Sequence, residues 1–155
     1  MPVVRKISVD DASALCQICS QEMGYDCDPD LVKSKIEKLD SKREAVFVAE
    51  VETVQNHELS HGTDNQLVGF IHVERYEVLY FESMANILGL AVKKDFQKMG
   101  LGKALLLAAE NWALENGIRL MRLNSGINRT DAHGFYEHLV YVSEKEQKRF
   151  LKRLK

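Results

Sequence analysis

A mixed α/β domain built on a twisted sheet is the fold class this chain predicts, and three observations carry it. Apolar residues recur with helical spacing in four segments and with strand character in the others, in the order β-α-α-β-β-β-α-β-α-β. The composition is globular, 45% hydrophobic and 28% charged over 155 residues, which excludes a wholly disordered chain. No repeat, low-complexity stretch or linker interrupts it, so residues 1–155 are expected to form a single domain.

Each element has a local cause. Residues 3–7 (VVRKI) read as a short strand. Asp10 and Asp11 offer a cap for a helix over ASALCQICSQEM, where Leu15, Ile18 and Cys19 recur at helical spacing. The stretch Gly24–Asp28 breaks that helix, and Pro29 or Asp30 starts a second one, LVKSKIEKL, burying Leu31, Ile36 and Leu39. Residues 45–51 (AVFVAEV) are rich in β-branched residues and read as a strand. The polar run 52–65 reads as a hairpin loop, with residues 66–76 as the return strand. Residues 84–94 (MANILGLAVKK) are largely apolar, as a centrally buried strand would be. A long helix over 100–117 is closed by Gly117. A strand at 118–124, a helix at 128–138 and a terminal strand in KRFLKRL, with Phe150 and Leu154 tucked in, complete the order.

Charge and cysteine usage narrow the function classes. The chain has 21 basic and 23 acidic residues, a formal net charge of −2, without the basic excess of a general nucleic-acid binder. No apolar run is long enough for a membrane helix, and no secretory h-region is visible at the N-terminus. The three cysteines, Cys16, Cys19 and Cys27, point away from a disulfide scaffold and towards a reducing, cytoplasmic compartment. No nucleic-acid or membrane partner is expected.

The segment that carries chemistry is the strand–turn–helix around Gln97-Lys98-Met99-Gly100-Leu101-Gly102-Lys103. Two glycines two residues apart let the backbone approach a ligand closely. The free N–H groups of the first helical turn, with the helix dipole behind them, favour an anion. Gln97, Lys98 and Lys103 add donors and positive charge. On these grounds the loop is a cradle for phosphate or pyrophosphate. It is neither GxxxxGK[ST] nor GxGxxG, so neither a Walker loop nor a dinucleotide fingerprint.

At these residues the chain resembles the GCN5-related N-acetyltransferase (GNAT) superfamily over nearly its whole length. QKMGLG matches that family's acetyl-CoA motif, Q/R-x-x-G-x-G/A. The run from Asn124 to Glu137 looks like its second cofactor element, with an Asn…Ala-His-x-Phe-Tyr-Glu pattern. Val140 stands where the family usually has glycine, so a strained turn is expected there. The resemblance implies a mixed, mostly antiparallel sheet of six to seven strands with helices on both faces. A splay between the strands at 84–93 and 118–124 would admit the pantetheine arm.

It also implies roles. The amides of Lys98, Gly100, Gly102 and Lys103 would hold the pyrophosphate of acetyl-CoA, with Gln97, Met99 and Leu101 in the same cofactor-binding loop. Leu90 and Val92 would pair with the pantetheine arm, and the Leu90 amide would also polarise the thioester carbonyl. Asn128 would hydrogen-bond the arm, and Tyr136 would protonate the departing thiolate. An amine acceptor is mostly protonated near neutral pH, so a base is needed. The candidates are Glu74, Glu77 and Glu82, with His72 in reserve. Glu82 is the one carried forward, because Asn86, where relatives often place Glu, cannot act as a base.

Other signals receive weaker readings. His57-Glu58-Leu59-Ser60-His61 spells H-E-x-x-H, but it lies in a polar loop with no third ligand at a standard spacing, and no metal site is assigned. Cys16-x-x-Cys19 lacks a fourth ligand, so buried free thiols are expected. His133 and His138 do not share a helix face. The acidic segment Glu22–Asp30 would attract a cationic amine. The resulting expectation is an enzyme that moves acetyl from acetyl-CoA to a small cationic amine by direct attack in a ternary complex, with a homodimer as a further partner. A protein or peptide amine, a non-catalytic acyl-CoA-binding module and a zinc hydrolase stay open as alternatives.

Overall fold

The computed structural model of the chain describes residues 2–54 and 63–155, so the His57–His61 pentad lies outside the described residues. Two compact units are present, Met1–Leu123 and Asn124–Lys155. The first holds β1 (Val3–Lys6), α1 (Ala12–Met23), α2 (Pro29–Glu37), β2 (Glu44–Val54), β3 (Thr63–Tyr76), β4 (Met84–Val92), α3 (Leu101–Glu115) and β5 (Met121–Leu123). The second holds α4 (Thr130–His138). No helix among the described residues is long and apolar enough to cross a membrane.

The sheet runs β1-β2-β3-β4-β5, antiparallel throughout except for the parallel pair β4–β5. Helices cover both of its faces. On one, Ile18 of α1 packs against Val46, Val48 and Phe70. On the other, Leu105 of α3 lies so close to Gly69 that a Cβ there would meet it at 3.2 Å and the Ala91 carbonyl at 3.0 Å. Opposite faces follow from the alternation of neighbouring strand residues, here Gly69 and Phe70.

The helix ends obey local chemistry. Asp28 caps α2 by accepting the Asp30 N–H at 2.9 Å, with Pro29 in the first turn. Gly117 ends α3 at a φ of +74°, and the N–H groups of Gly117 and Ile118 close back onto the carbonyls of Leu114 and Ala113. Ile118 is buried by that stop, so β5 begins only at Met121, three residues later than the sequence suggests. At the start of α1, the Asp11 carboxylate turns back to accept the Ser8 N–H at 2.8 Å rather than capping the helix with its side chain.

Three expectations are corrected. The sheet has five strands among the described residues, not six to seven. The tail KRFLKRL forms no strand, and Phe150 and Leu154 are exposed rather than tucked in. A strand face carrying Phe150 and Leu154 would also carry Lys148 and Lys152, whose charges resist burial. The supposed hairpin loop over 52–65 is shorter, because Glu52 pairs with Asn65 and Thr53 with Asp64. The main-chain ladder tolerates these polar residues, and Thr53 Oγ1 donates to the Asp64 carbonyl at 2.8 Å.

Candidate active site

β4 is the organising element. Only Ala85, Asn86 and Ile87 are buried, not the whole apolar run. The register with β3 shifts between Ile87 and Gly89, leaving Leu88 as a bulge. On its other side β4 pairs with β5 only from Ala85 to Ile87. Past the bulge, the Lys93 N–H donates to the Val68 carbonyl on β3 at 2.7 Å. By strand alternation, Leu90 and Val92 therefore present their main-chain groups to the opposite edge, along which no strand pairs among the described residues. The β4–β5 pairing thus stops short of Leu90 and Val92, the two residues that the resemblance assigned to the pantetheine arm.

That edge runs into the loop over residues 93–100. A 3-10 turn at Lys94–Phe96 leads to Gln97, whose side-chain amide donates to the Val92 carbonyl at 2.9 Å and ties the loop to the strand end. Lys98 adopts φ +66° and Gly100 φ +80°, so the loop rises to α3 through two left-handed residues. The first helical bond joins the Ala104 N–H to the Gly100 carbonyl at 3.0 Å, which leaves the amides of Leu101, Gly102 and Lys103 without a helical acceptor. Nothing lies within 4 Å of a Cβ built on Gly100. Lys98, Met99 and Lys103 are exposed at the rim. Unspent amides at a dipole's positive end, flanked by lysines and open space, fit a pyrophosphate group. The loop is also anchored from a distance, since the Lys94 N–H donates to the Glu22 carboxylate of α1 at 3.0 Å.

A polar row crosses the sheet on the face that α1 covers. Glu44, Glu74, Asn86 and Arg122 are register partners on β2 to β5. Asn86 Nδ2 donates to Glu74 at 3.1 Å, and Arg122 Nη1 donates to Asn86 Oδ1 at 3.0 Å. His72 Nε2 lies 2.8 Å from Glu44. The Arg122 guanidinium stacks 4.3 Å over the Tyr76 ring. A cleft of about 380 Å³ at this end of the sheet is lined by Arg43, Glu74, Arg75, Tyr76 and Glu77. Of the candidate bases, Glu74 thus belongs to a fixed network. Glu77 is tied to Ser83 and Arg75, which hold its carboxyl below the usual range. Glu82 is exposed in the intervening loop and joins no ion pair among the described residues.

In the second unit, Asn128 is exposed in the turn before α4. Tyr136 is half-buried on α4, edge-on to Phe135 and Tyr141. Burial pushes the Tyr136 phenol up, opposed only by the Arg129 charge, so it keeps its proton across the neutral range. The cysteines are free; burial pushes the Cys16 thiol up to about 12 and raises Cys19 as well, which makes neither a nucleophile. No group of three metal-ligating side chains occurs among the described residues.

Sequence reading missed Arg122, Tyr76 and Glu44. Only strand register aligns Glu44 and Arg122 with Glu74 and Asn86, and nothing local in IRLMRLN marks an arginine facing a site. The anchor from Glu22 to Lys94 was equally invisible, being 72 residues apart in the chain.

Comparison with known proteins places this geometry. The pattern of the acetyltransferase (GNAT) family matches residues 15–140, through both units. No curated protein sequence matches the chain. Among solved structures it is similar to AAC(6')-Iy in complex with the bisubstrate analog CoA-S-monomethyl-acetylneamine, with a TM-score of 0.76, 18% identity and 99% of each chain covered. It is similar to a glucosamine-6-phosphate N-acetyltransferase from Arabidopsis thaliana, with a TM-score of 0.77, 15% identity and 97% and 98% of the two chains covered. It is also similar to a transcriptional regulator from Bacillus halodurans, with a TM-score of 0.79, 20% identity and 98% and 100% covered. At such identities these are likenesses of fold.

Proposed function

The chain belongs to the acetyltransferase (GNAT) family and is an acetyl-CoA-dependent N-acetyltransferase, and on that premise we propose that it acetylates a small-molecule amine by direct attack in a ternary complex. The observation that carries the proposal is the open edge of β4 running into the unspent amides at the start of α3. Acetyl-CoA supplies the activated acyl group. The amides of Lys98, Gly100, Gly102 and Lys103 hold its pyrophosphate, within the loop that Gln97, Met99 and Leu101 complete. Main-chain groups of Leu90 and Val92 align the pantetheine arm, and the Leu90 amide donates to the thioester oxygen as charge develops there. Asn128 bonds the arm, and Tyr136 gives its proton to the departing thiolate.

A carboxylate must take the proton of the acceptor amine. The observations favour Glu74 over Glu82, because Glu74 is fixed by Asn86 whereas Glu82 stands exposed. A small amine is supported by the carboxylates Glu44 and Glu74 on this face and by the acidic segment Glu22–Asp30. Neighbours named for an acetylneamine analog and for glucosamine-6-phosphate support the same class. The proposal extends to a cytoplasmic, homodimeric enzyme. Sparse cysteine supports the first, and the exposed apolar tip Leu79-Tyr80-Phe81 supports the second.

Calorimetric titration with acetyl-CoA is the test. One-to-one binding in the micromolar range, lost in Gly100→Glu, is expected. A wild-type protein that ignores millimolar acetyl-CoA would overturn the proposal. A screen of amines against acetyl-CoA turnover then separates small-molecule acceptors from peptide amines.

A further inference from the structure

We infer that Arg122, held between Asn86 and Tyr76, is an anion-binding subsite of the acceptor site, so that the acceptor is an amine bearing its own carboxylate or phosphate. The inference rests on the acetyl-transfer reading above for the word acceptor, but the subsite stands on geometry of its own.

The ion pairs among the described residues join Arg5 to Asp11 and Glu50, His72 to Glu44 and Arg75 to Glu77, and Arg122 is in none of them. Its guanidinium has five N–H donors, and among the described residues its one hydrogen bond runs from Nη1 to Asn86 Oδ1. It is nevertheless held in place, stacked on the Tyr76 ring 4.3 Å from the centroid and pinned by a side chain that is 8% exposed. A half-buried cation fixed in position, with no carboxylate partner among the described residues, is the arrangement that receives an oxyanion in a forked hydrogen-bonded pair.

Asn86 explains why Glu74 does not quench it. The Asn86 amide donates to Glu74 with Nδ2 and accepts from Arg122 with Oδ1, so one neutral side chain stands between the two charges. A carboxylate at position 86 would pair directly with Arg122. Cross-strand partners share a face, so the negative end (Glu44, Glu74) and the positive end (Arg122) lie on the face that Val46 and Phe70 present to α1. β3 and β5 flank β4, which sets the two ends about 9–10 Å apart at the backbone. A ligand whose amine meets Glu74 while its anion meets Arg122 complements both. A polycation complements only one.

Matched probes test this. 6-Aminohexanoate is compared with 6-aminohexanamide, and 4-aminobutyl phosphate with 4-aminobutanol, by calorimetry on the full chain in the presence of CoA. The wild type is expected to bind the anionic member of at least one pair about tenfold more tightly, and which pair responds tells carboxylate from phosphate. Arg122→Gln is expected to bring the ratio to near one, and Arg122→Lys to restore part of it. In the wild type, acetate or inorganic phosphate alone is expected to move the Arg122 Nε–H resonance, a readout that no variant's folding can obscure. Equal affinity within both pairs, a preference that survives Arg122→Gln in a protein with a normal melting curve, or a resonance unmoved by both anions would each overturn the subsite. Acetyl-CoA turnover is measured separately. An anion preference without acetyl-CoA binding would overturn the transfer reading and leave the subsite, and acetylation without anion preference would do the reverse.

Discussion

Arg5 donates from Nη1 and Nη2 to the two carboxylate oxygens of Asp11, at 2.8 and 2.9 Å, and reaches Glu50 at 3.2 Å. This clamp joins β1 to β2 and to the start of α1. The Arg5 hydrogen bonds hold the Asp11 carboxyl below its ordinary value, against the opposing effect of burial. A carboxyl depressed in the folded state stabilises fully above its unfolded value, 3.8, and loses that contribution as pH falls through the lower folded value. Asp11→Asn is therefore expected to cost about 1–2 kcal/mol at pH 7, a figure reduced for the partial exposure of Arg5, and less near pH 3. Urea unfolding of both proteins at the two pH values checks this. At Tyr136 the shift has the opposite direction, because burial favours the neutral phenol. Tyr136→Phe is expected to lower kcat about 100-fold while leaving the Kd for acetyl-CoA within about twofold. The wild-type kcat should fall on the alkaline side only above the ordinary phenol value of 10.0, and the variant should lack that limb.

At the scale of elements, two helices end in the same way with different residues. α3 closes with Gly117 in the left-handed region, and the Ile118 N–H reaches back to Ala113. α4 closes with Val140 at φ +72°, its N–H bonded to the Glu137 carbonyl and that of Tyr141 to the Tyr136 carbonyl. A β-branched residue in that region is strained. Val140 is 85% exposed, so its side chain offers little packing in return. Val140→Gly is expected to stabilise by about 1 kcal/mol, seen as a melting temperature higher by about 2–4 °C. β4 is the converse case, an element whose irregularity is useful. Its bulge at Leu88 and the early end of β5 leave Leu90 and Val92 facing open edge, where a continuous strand pair would have consumed their N–H groups.

For the whole molecule, acetyl-CoA binding and stability are linked. A ligand at 100 times its Kd adds about 2.7 kcal/mol to the folded state, which for a chain of this length raises the melting temperature by about 5–10 °C. Acetyl-CoA is expected to produce that shift in the wild type and none in Gly100→Glu, read by scanning calorimetry.

What the sequence determined by itself is what depends on near neighbours. The helix over Ala12–Met23 was readable in its apolar spacing, the start of α2 in Pro29, and the stop of α3 in Gly117. Each is written within a few residues because caps, turns and helix dipoles act over one turn of chain. The strained turn at Val140 was implied by the family resemblance rather than by its neighbours. Only the tertiary structure decided which carboxylate stands beside Asn86, that Arg122 shares its row, and that β4 is half open rather than buried. Those features follow from register and from where β5 stops. Register is set by the sum of many contacts between distant strands, and the polar residues on a strand carry no local mark of which neighbours they will meet.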